Sequence, residues 1–205
     1  MLFRSIVEAP DAVYALDERR YRRLTRHNDD WLASVKLGST EEISYASKDG
    51  TRINGFIVKP PDYRPGRRYP TLLWIHGGPV SQYAHSFSMS WQIFASHGYV
   101  VLGVNPRGSS GRGEAFATAI YADWGNKDTE DVLGAVDFAV KQGVADADRL
   151  GVGGWSYGGI LTNFVIAKDQ RFKSATSGAS ISNVLAGYGT DIYMEIGRAS
   201  CRERV

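Results

Sequence analysis

One cysteine, Cys201, leaves the chain without a partner for an internal disulfide. No apolar run comes near the roughly 18 residues that a membrane span needs, and no membrane partner is expected. Neither sign of charge dominates, with 24 lysines and arginines against 22 aspartates and glutamates. Such a balance makes no overall positive field to hold a phosphate backbone, which argues against nucleic acid as a partner. The densest basic stretch, Arg19, Arg20, Arg22, Arg23 and Arg26, reads as a solvated strand face rather than a binding patch. Histidine is scarce and unevenly placed: His27, His76, His85 and His97 all precede residue 100.

The 205 residues are 43% hydrophobic and include 23 glycines, a composition of a globular α/β protein. Val13 to Leu16 and Arg22 to Thr25 read as a hairpin belonging to something larger. From Glu41 the pattern sharpens. Ile43 and Tyr45, then Ile53, Phe56 and Val58, alternate on either side of Lys48-Asp49-Gly50, a strong hairpin signal. Thr71 to Ile75 is apolar throughout, as befits a strand covered on both faces. A helix is predicted over Phe87 to Ser96, ended by Gly98, and a second buried strand over Tyr99 to Val104. Asn105 to Gly113 is irregular, and Glu114 to Trp124 resumes a helical pattern. A crossover helix follows over Thr129 to Gln142, with Thr129 as its cap and Val132, Val136, Ala139 and Val140 on one face. Leu150 to Gly153, Tyr157 to Ala167 and Phe172 to Ser177 then read as strand, helix and strand. Strands alternating with helices predict a mostly parallel sheet with helices on both faces.

Gly154-Trp155-Ser156-Tyr157-Gly158 fits the pattern G-x-S-x-G, which alone is common enough by chance to prove little. Its context is informative, because it follows a strand of small residues and opens a helix. There the chain must turn sharply and hold the serine in a strained conformation, and glycines two before and two after leave room for the turn. Such an elbow lifts the Ser156 hydroxyl above the sheet as a nucleophile and aims the Tyr157 N–H at a developing oxyanion. A second donor is expected from His76-Gly77-Gly78-Pro79, at the end of an earlier strand, with the Gly78 N–H as the choice. A dinucleotide fold is set aside, since Gly151-x-Gly153-x-x-Ser156 lacks the last glycine of that fingerprint.

Four phrases, in order, carry a specific resemblance: Trp74-Ile-His-Gly-Gly-Pro79, Asn105-Pro-Arg-Gly-Ser109, Asp123-Trp-Gly125 and Gly154-Trp-Ser-Tyr-Gly-Gly159. Residues 41–194 resemble the catalytic α/β-hydrolase domain of the prolyl oligopeptidase family, in its acylaminoacyl peptidase and dipeptidyl aminopeptidase branches. Residues 1–40 resemble the end of the β-propeller and linker that precede it. The resemblance implies a serine peptidase acting on short peptides by acyl transfer, with no cofactor and no metal. It implies Ser156 as nucleophile, the Gly78 and Tyr157 backbone as oxyanion hole, and Ile181 and Val184 in the pocket for the residue before the cut. Arg107 is expected to pair with an acidic neighbour in its own loop, and His76 to organise its loop. An esterase or lipase, and a non-catalytic binding module of the same fold, are the competing readings.

In α/β-hydrolases the triad acid and histidine follow the serine, and no histidine follows Ser156 here. Asp191 falls in a segment that is not assigned as the acid. The last eleven residues, 195–205, have neither helical nor strand period and resemble a translated sequencing adapter. The natural protein is therefore expected to continue past Met194. The 205-residue chain is expected to be inactive, and to fold poorly with an unpaired sheet edge.

Overall fold

A computed structural model describes residues 2–6 and 9–183. Strands β1 (Leu2–Ile6), β2 (Ala9–Asp17) and β3 (Arg20–Arg23) form a small antiparallel sheet, joined at the second hairpin by Glu18 and Arg19, both at positive φ. A short helix, α1 (Asp29–Ser34), leads out of it. Arg20 and Arg22 of β3 are exposed, whereas Arg23 is half-buried and pairs with Asp29 at 2.5 Å.

Strands β4 (Ser39–Ala46) and β5 (Arg52–Lys59) form the predicted hairpin, with Gly50 at φ +84° in the turn. They open a six-stranded sheet completed by β6 (Tyr69–Ile75), β7 (Val100–Asn105), β8 (Ala145–Trp155) and β9 (Phe172–Gly178), in the order β4-β5-β7-β6-β8-β9. β7, β6, β8 and β9 run parallel, while β4 and β5 pair antiparallel. Among the described residues β9 pairs only with β8, and Lys173 to Ser177 are exposed.

Helices cover the two faces unequally. On one side, α2 (Met89–Ser96) sets Trp91 and Ala95 against Phe56, Val58 and Val101. On the other, α4 (Lys127–Lys141) and α5 (Tyr157–Lys168) contribute Val132, Ala135, Val136, Ala139, Leu161 and Val165 to the larger core, against Leu73, Leu102 and Val152. Burying each valine or leucine side chain contributes about 1.5–3 kcal/mol, so the two helices of the larger face hold the sheet more firmly than α2 alone.

This layout makes the site. The chain leaves β6 toward the α2 face and leaves the neighbouring β8 toward the α5 face. Two adjacent parallel strands whose exits diverge leave a crevice at their carboxyl ends, where α/β sheets bind ligands.

Two expectations need correction. The helix over Glu114 to Trp124 is a single turn, α3 (Glu114–Ala117), after which Ala122 adopts a positive φ of 55° and Tyr121 is exposed. Nor does Thr129 cap α4. It lies inside the first turn and its hydroxyl donates to the Gly125 carbonyl at 2.9 Å, while the Asp128 carboxylate takes the free N–H groups of Gly125 (3.0 Å) and Thr129 (2.9 Å).

Candidate active site

Register places the pieces. Ile75 at the end of β6 lies opposite Gly154 of β8, so the residues two further along each chain, Gly77 and Ser156, come side by side. A Cβ on Gly77 would stand 3.4 Å from the Ser156 Cβ and 3.9 Å from its Oγ. Ser156 has φ 59° and ψ −122°, a conformation that costs about 1–3 kcal/mol for a residue with a side chain. Its surroundings hold it there. Its N–H donates to the Gly178 carbonyl (2.9 Å), and its own carbonyl accepts from Gly159 (2.9 Å) and Ile160 (3.0 Å).

The flanking glycines are steric requirements. A Cβ on Gly158 would meet the Ile75 carbonyl oxygen at 2.2 Å, and one on Gly154 would meet the Gly158 carbonyl carbon at 2.5 Å. Both contacts are with backbone, which cannot swing away. Trp155 and Ser156 are exposed, and the Ser156 side chain makes no capping bond to α5. Tyr157, the first residue of α5, has a backbone N–H without an acceptor among the described residues, as expected at a helix N-terminus.

The other wall is the loop after β6. His76 is buried, with Nδ1 2.7 Å from the Gly77 carbonyl and Nε2 2.9 Å from Ser109 Oγ. A carbonyl only accepts, so Nδ1 carries the hydrogen and the neutral ring takes the Ser109 hydroxyl proton at Nε2. Burial keeps the ring neutral by lowering its pKa, an effect that the bond to Gly77 only partly offsets. The Gly77 carbonyl belongs to the same planar peptide as the Gly78 N–H, and the two point in opposite directions. His76 thus fixes the direction of the Gly78 N–H, which also has no acceptor among the described residues. Asn105 pins the same loop, accepting from the Tyr83 N–H (2.7 Å) and donating to its carbonyl (2.9 Å). Asn105 and Ser109 open and close one of the sequence phrases, so that phrase braces the loop after β6.

Arg107, between them, is structural as expected, but its partners lie elsewhere than expected. Its Nε and Nη2 reach the two oxygens of Asp131 on α4 (2.9 and 2.7 Å), its N–H bonds the same carboxylate (2.8 Å), and Nη1 meets Asp49 in the β4–β5 turn. Hydrogen bonds to Asp131 hold the guanidinium firmly charged.

Both ring nitrogens of His76 are engaged elsewhere, His85 pairs with Glu42, and the His97 Nδ1 bonds the Ile93 carbonyl. Among the described residues no base reaches Ser156. Of the two predicted pocket residues, Ile181 is half-buried beyond β9, and Val184 lies outside the described residues, as do Asp191 and the segment 195–205. No group of three or more potential metal ligands occurs among the described residues.

Sequence reasoning missed the underside of the elbow. The Tyr157 hydroxyl donates to Asp128, a carboxylate with no solvent exposure, and its ring meets Trp124 edge-on at 5.2 Å. The phrase Asp123-Trp-Gly125 signalled this region without saying what it touches.

Sheet order, crossover placement and a strained serine between strand and helix define an α/β-hydrolase fold. Residues 85–201 match the prolyl oligopeptidase family. An uncharacterised peptidase of Bacillus subtilis, YuxL, is 39% identical over 184 residues, covering 89% of this chain and 28% of that protein. Dipeptidyl-peptidase 5 of Porphyromonas gingivalis is 30% identical over 188 residues, again 89% of this chain and 28% of the relative. Acylaminoacyl peptidase of Pyrococcus horikoshii superposes with a TM-score of 0.90 at 29% identity, covering 98% of this chain and 33% of that one. The chain belongs to the prolyl oligopeptidase family, and it spans about a third or less of the length of these relatives.

Proposed function

We propose that this chain is the nucleophile-bearing part of a serine peptidase that cleaves short peptides through an acyl-enzyme. The observation that carries the reading is Ser156 itself, exposed and strained, with Gly77 at its side and two unengaged N–H groups nearby. In the reaction the Ser156 Oγ gives its proton to the base and adds to the peptide carbonyl carbon, the Gly78 and Tyr157 N–H groups take the developing oxyanion, and the C–N bond breaks as that proton passes to the leaving amine, giving an ester on Ser156. Water then releases the acid. Ile181 and Val184 form part of the pocket for the residue before the cut. Peptidase is preferred to esterase because the relatives above are named peptidases and a separate small sheet precedes the hydrolase sheet.

The base and acid come from residues past Met194 of the natural protein. The three-stranded sheet within residues 1–40 is the end of a propeller, and 195–205 is a non-native tail. A protonated Ser156 without a base forgoes about 10²–10⁴-fold of assistance, so the 205-residue chain does not turn over peptides or esters. The product of the intact gene should label with a fluorophosphonate and hydrolyse peptidyl anilides in preference to acyl esters, and Ser156→Ala should remove both activities by on the order of 10⁴-fold or more. Labelling that survives Ser156→Ala, or genomic sequence continuing through the tail, overturns the corresponding part of the reading.

A further inference from the structure

Asp128 is a buried carboxylate with no place in the chemistry described above, yet every donor around it is committed to it. Oδ2 accepts the Tyr157 hydroxyl and the Gly125 N–H (3.0 Å), and Oδ1 accepts the Thr129 N–H (2.9 Å). Around this carboxylate the turn Trp124-Gly125 is pressed onto one face of α5. Trp124 meets the ring of Tyr157, the space beside the Gly125 Cα is filled by the ring of Phe164, and Lys168 Nζ donates to the Gly125 carbonyl. Tyr157, Phe164 and Lys168 are spaced by seven and four residues, which puts them on one stripe of the helix. The contacts are therefore a clasp along the whole of α5, closed at its first residue by the Tyr157 hydroxyl.

We propose that the Asp128–Tyr157 hydrogen bond is a positioning device for the reaction: it fixes the first residue of α5 from below, and so fixes the Tyr157 backbone N–H where the oxyanion forms. The inference rests on the nucleophile reading of Ser156. A strained serine needs its neighbours held on both sides. β9 holds the Ser156 N–H through Gly178, and the first turn of α5 holds the Ser156 carbonyl through Gly159 and Ile160, while the Tyr157 hydroxyl ties that turn to Asp128 of α4. The anchor is a carboxylate for a stereochemical reason. An amide at residue 128 would turn an N–H toward either the Tyr157–Gly125 pair or the Thr129 N–H, where only acceptors are tolerated. The phrase Asp123-Trp-Gly125 gains a role in this way, since it builds the turn that delivers Asp128 under the elbow.

The test uses the product of the intact gene, with rates expressed per site titrated by a fluorophosphonate so that misfolded molecules do not count. Tyr157→Phe removes one oxygen and keeps the ring against Trp124. Deleting an oxyanion donor outright costs about 10²–10³ in kcat, and loosening one costs less, so Tyr157→Phe is expected to lower kcat per titrated site about tenfold. KM should stay within about twofold, because ground-state binding does not use the oxyanion donor. Asp128→Asn should show the same split. An unchanged kcat per site, or a fall in titre alone, means that the clasp is only structural and overturns the proposal. A wild-type protein that neither labels nor turns over sinks the serine-hydrolase reading first and this inference with it.

Discussion

Asp128 and Asp131 stand one helical turn apart on α4, both closed to solvent, and their surroundings neutralise them in opposite ways. Asp131 meets a formal charge. Arg107 reaches both of its oxygens, Ser47 Oγ donates to Oδ1 at 2.5 Å, and the Tyr45 hydroxyl bonds its backbone carbonyl at 2.6 Å. Asp128 meets only neutral donors, a phenol and two backbone N–H groups, and burial raises its pKa. The ion pair ties α4 to the loop that braces His76 and so to the Gly78 side of the site. The neutral set ties α4 to the first residue of α5 and so to the Tyr157 side. One turn of helix therefore spaces the two walls of the crevice, one wall held by charge and the other by hydrogen bonds alone.

The comparison predicts unequal costs. Asp131→Ala leaves Arg107, whose side chain is 6% exposed, with only the half-exposed Asp49 as an ionic partner. Stranding one member of a buried pair costs about 3–5 kcal/mol, the lower end applying here because Asp49 remains. Asp128→Ala leaves three neutral donors without an acceptor, a phenol and two N–H groups, at about 1–3 kcal/mol each, whereas Asp131→Ala strands the Ser47 hydroxyl and the Arg107 N–H in addition to the charge. Urea unfolding of the intact gene product, followed by tryptophan fluorescence, should rank Asp131→Ala as the more damaging. The reverse order would mean that Arg107 finds compensation that Asp128's donors do not.

Much of the scaffold is legible in the sequence because parallel strands buried on both faces write themselves as apolar runs. Thr71 to Ile75 and Tyr99 to Val104 stand within two residues of β6 and β7 at each end. Where half of a strand is exposed the signal fades: β8 begins at Ala145, but Asp146, Asp148 and Arg149 hide its first half among polar residues. The elbow is legible because steric demands at Gly154 and Gly158 leave a fixed pattern. The helix expected over Glu114 to Trp124 failed where propensity had no apolar face to support it, with Tyr121 exposed and Ala122 left-handed. Side-chain pairings across the fold were illegible for another reason. Asp128 meets Tyr157 29 residues away and Arg107 meets Asp131 24 residues away, and such distances follow from sheet order, not from any local period.

The finest distinction between the two carboxylates lies in pH. A buried carboxyl whose folded pKa is raised above the unfolded value of about 3.9 favours folding in its protonated form. That contribution is full below the unfolded pKa and disappears as pH rises through the folded one. In Asp128 burial is the leading cause of the rise, the negative charge of Asp131 adds to it, and the bonds from Tyr157, Gly125 and Thr129 oppose it. Lys168 is held at the Gly125 carbonyl on the far side of the turn. Tyr157→Phe removes the largest opposing bond, so the carboxyl in the variant should titrate higher still, and its ionised form should cost more at neutral pH. A hydrogen bond to a charged group contributes about 1.5–3 kcal/mol against about 1 for a neutral one, so the stability lost in Tyr157→Phe should shrink by about 1 kcal/mol as pH falls from 7 toward the unfolded carboxyl pKa of about 3.9. The carboxyls of Asp49, Asp62 and Asp146, held low by local hydrogen bonds, lose their contributions only at lower pH and equally in both proteins, so they cancel in the difference. A penalty that stays constant across that range would show that Asp128 does not change its charge there, and pH would then not separate the two carboxylates.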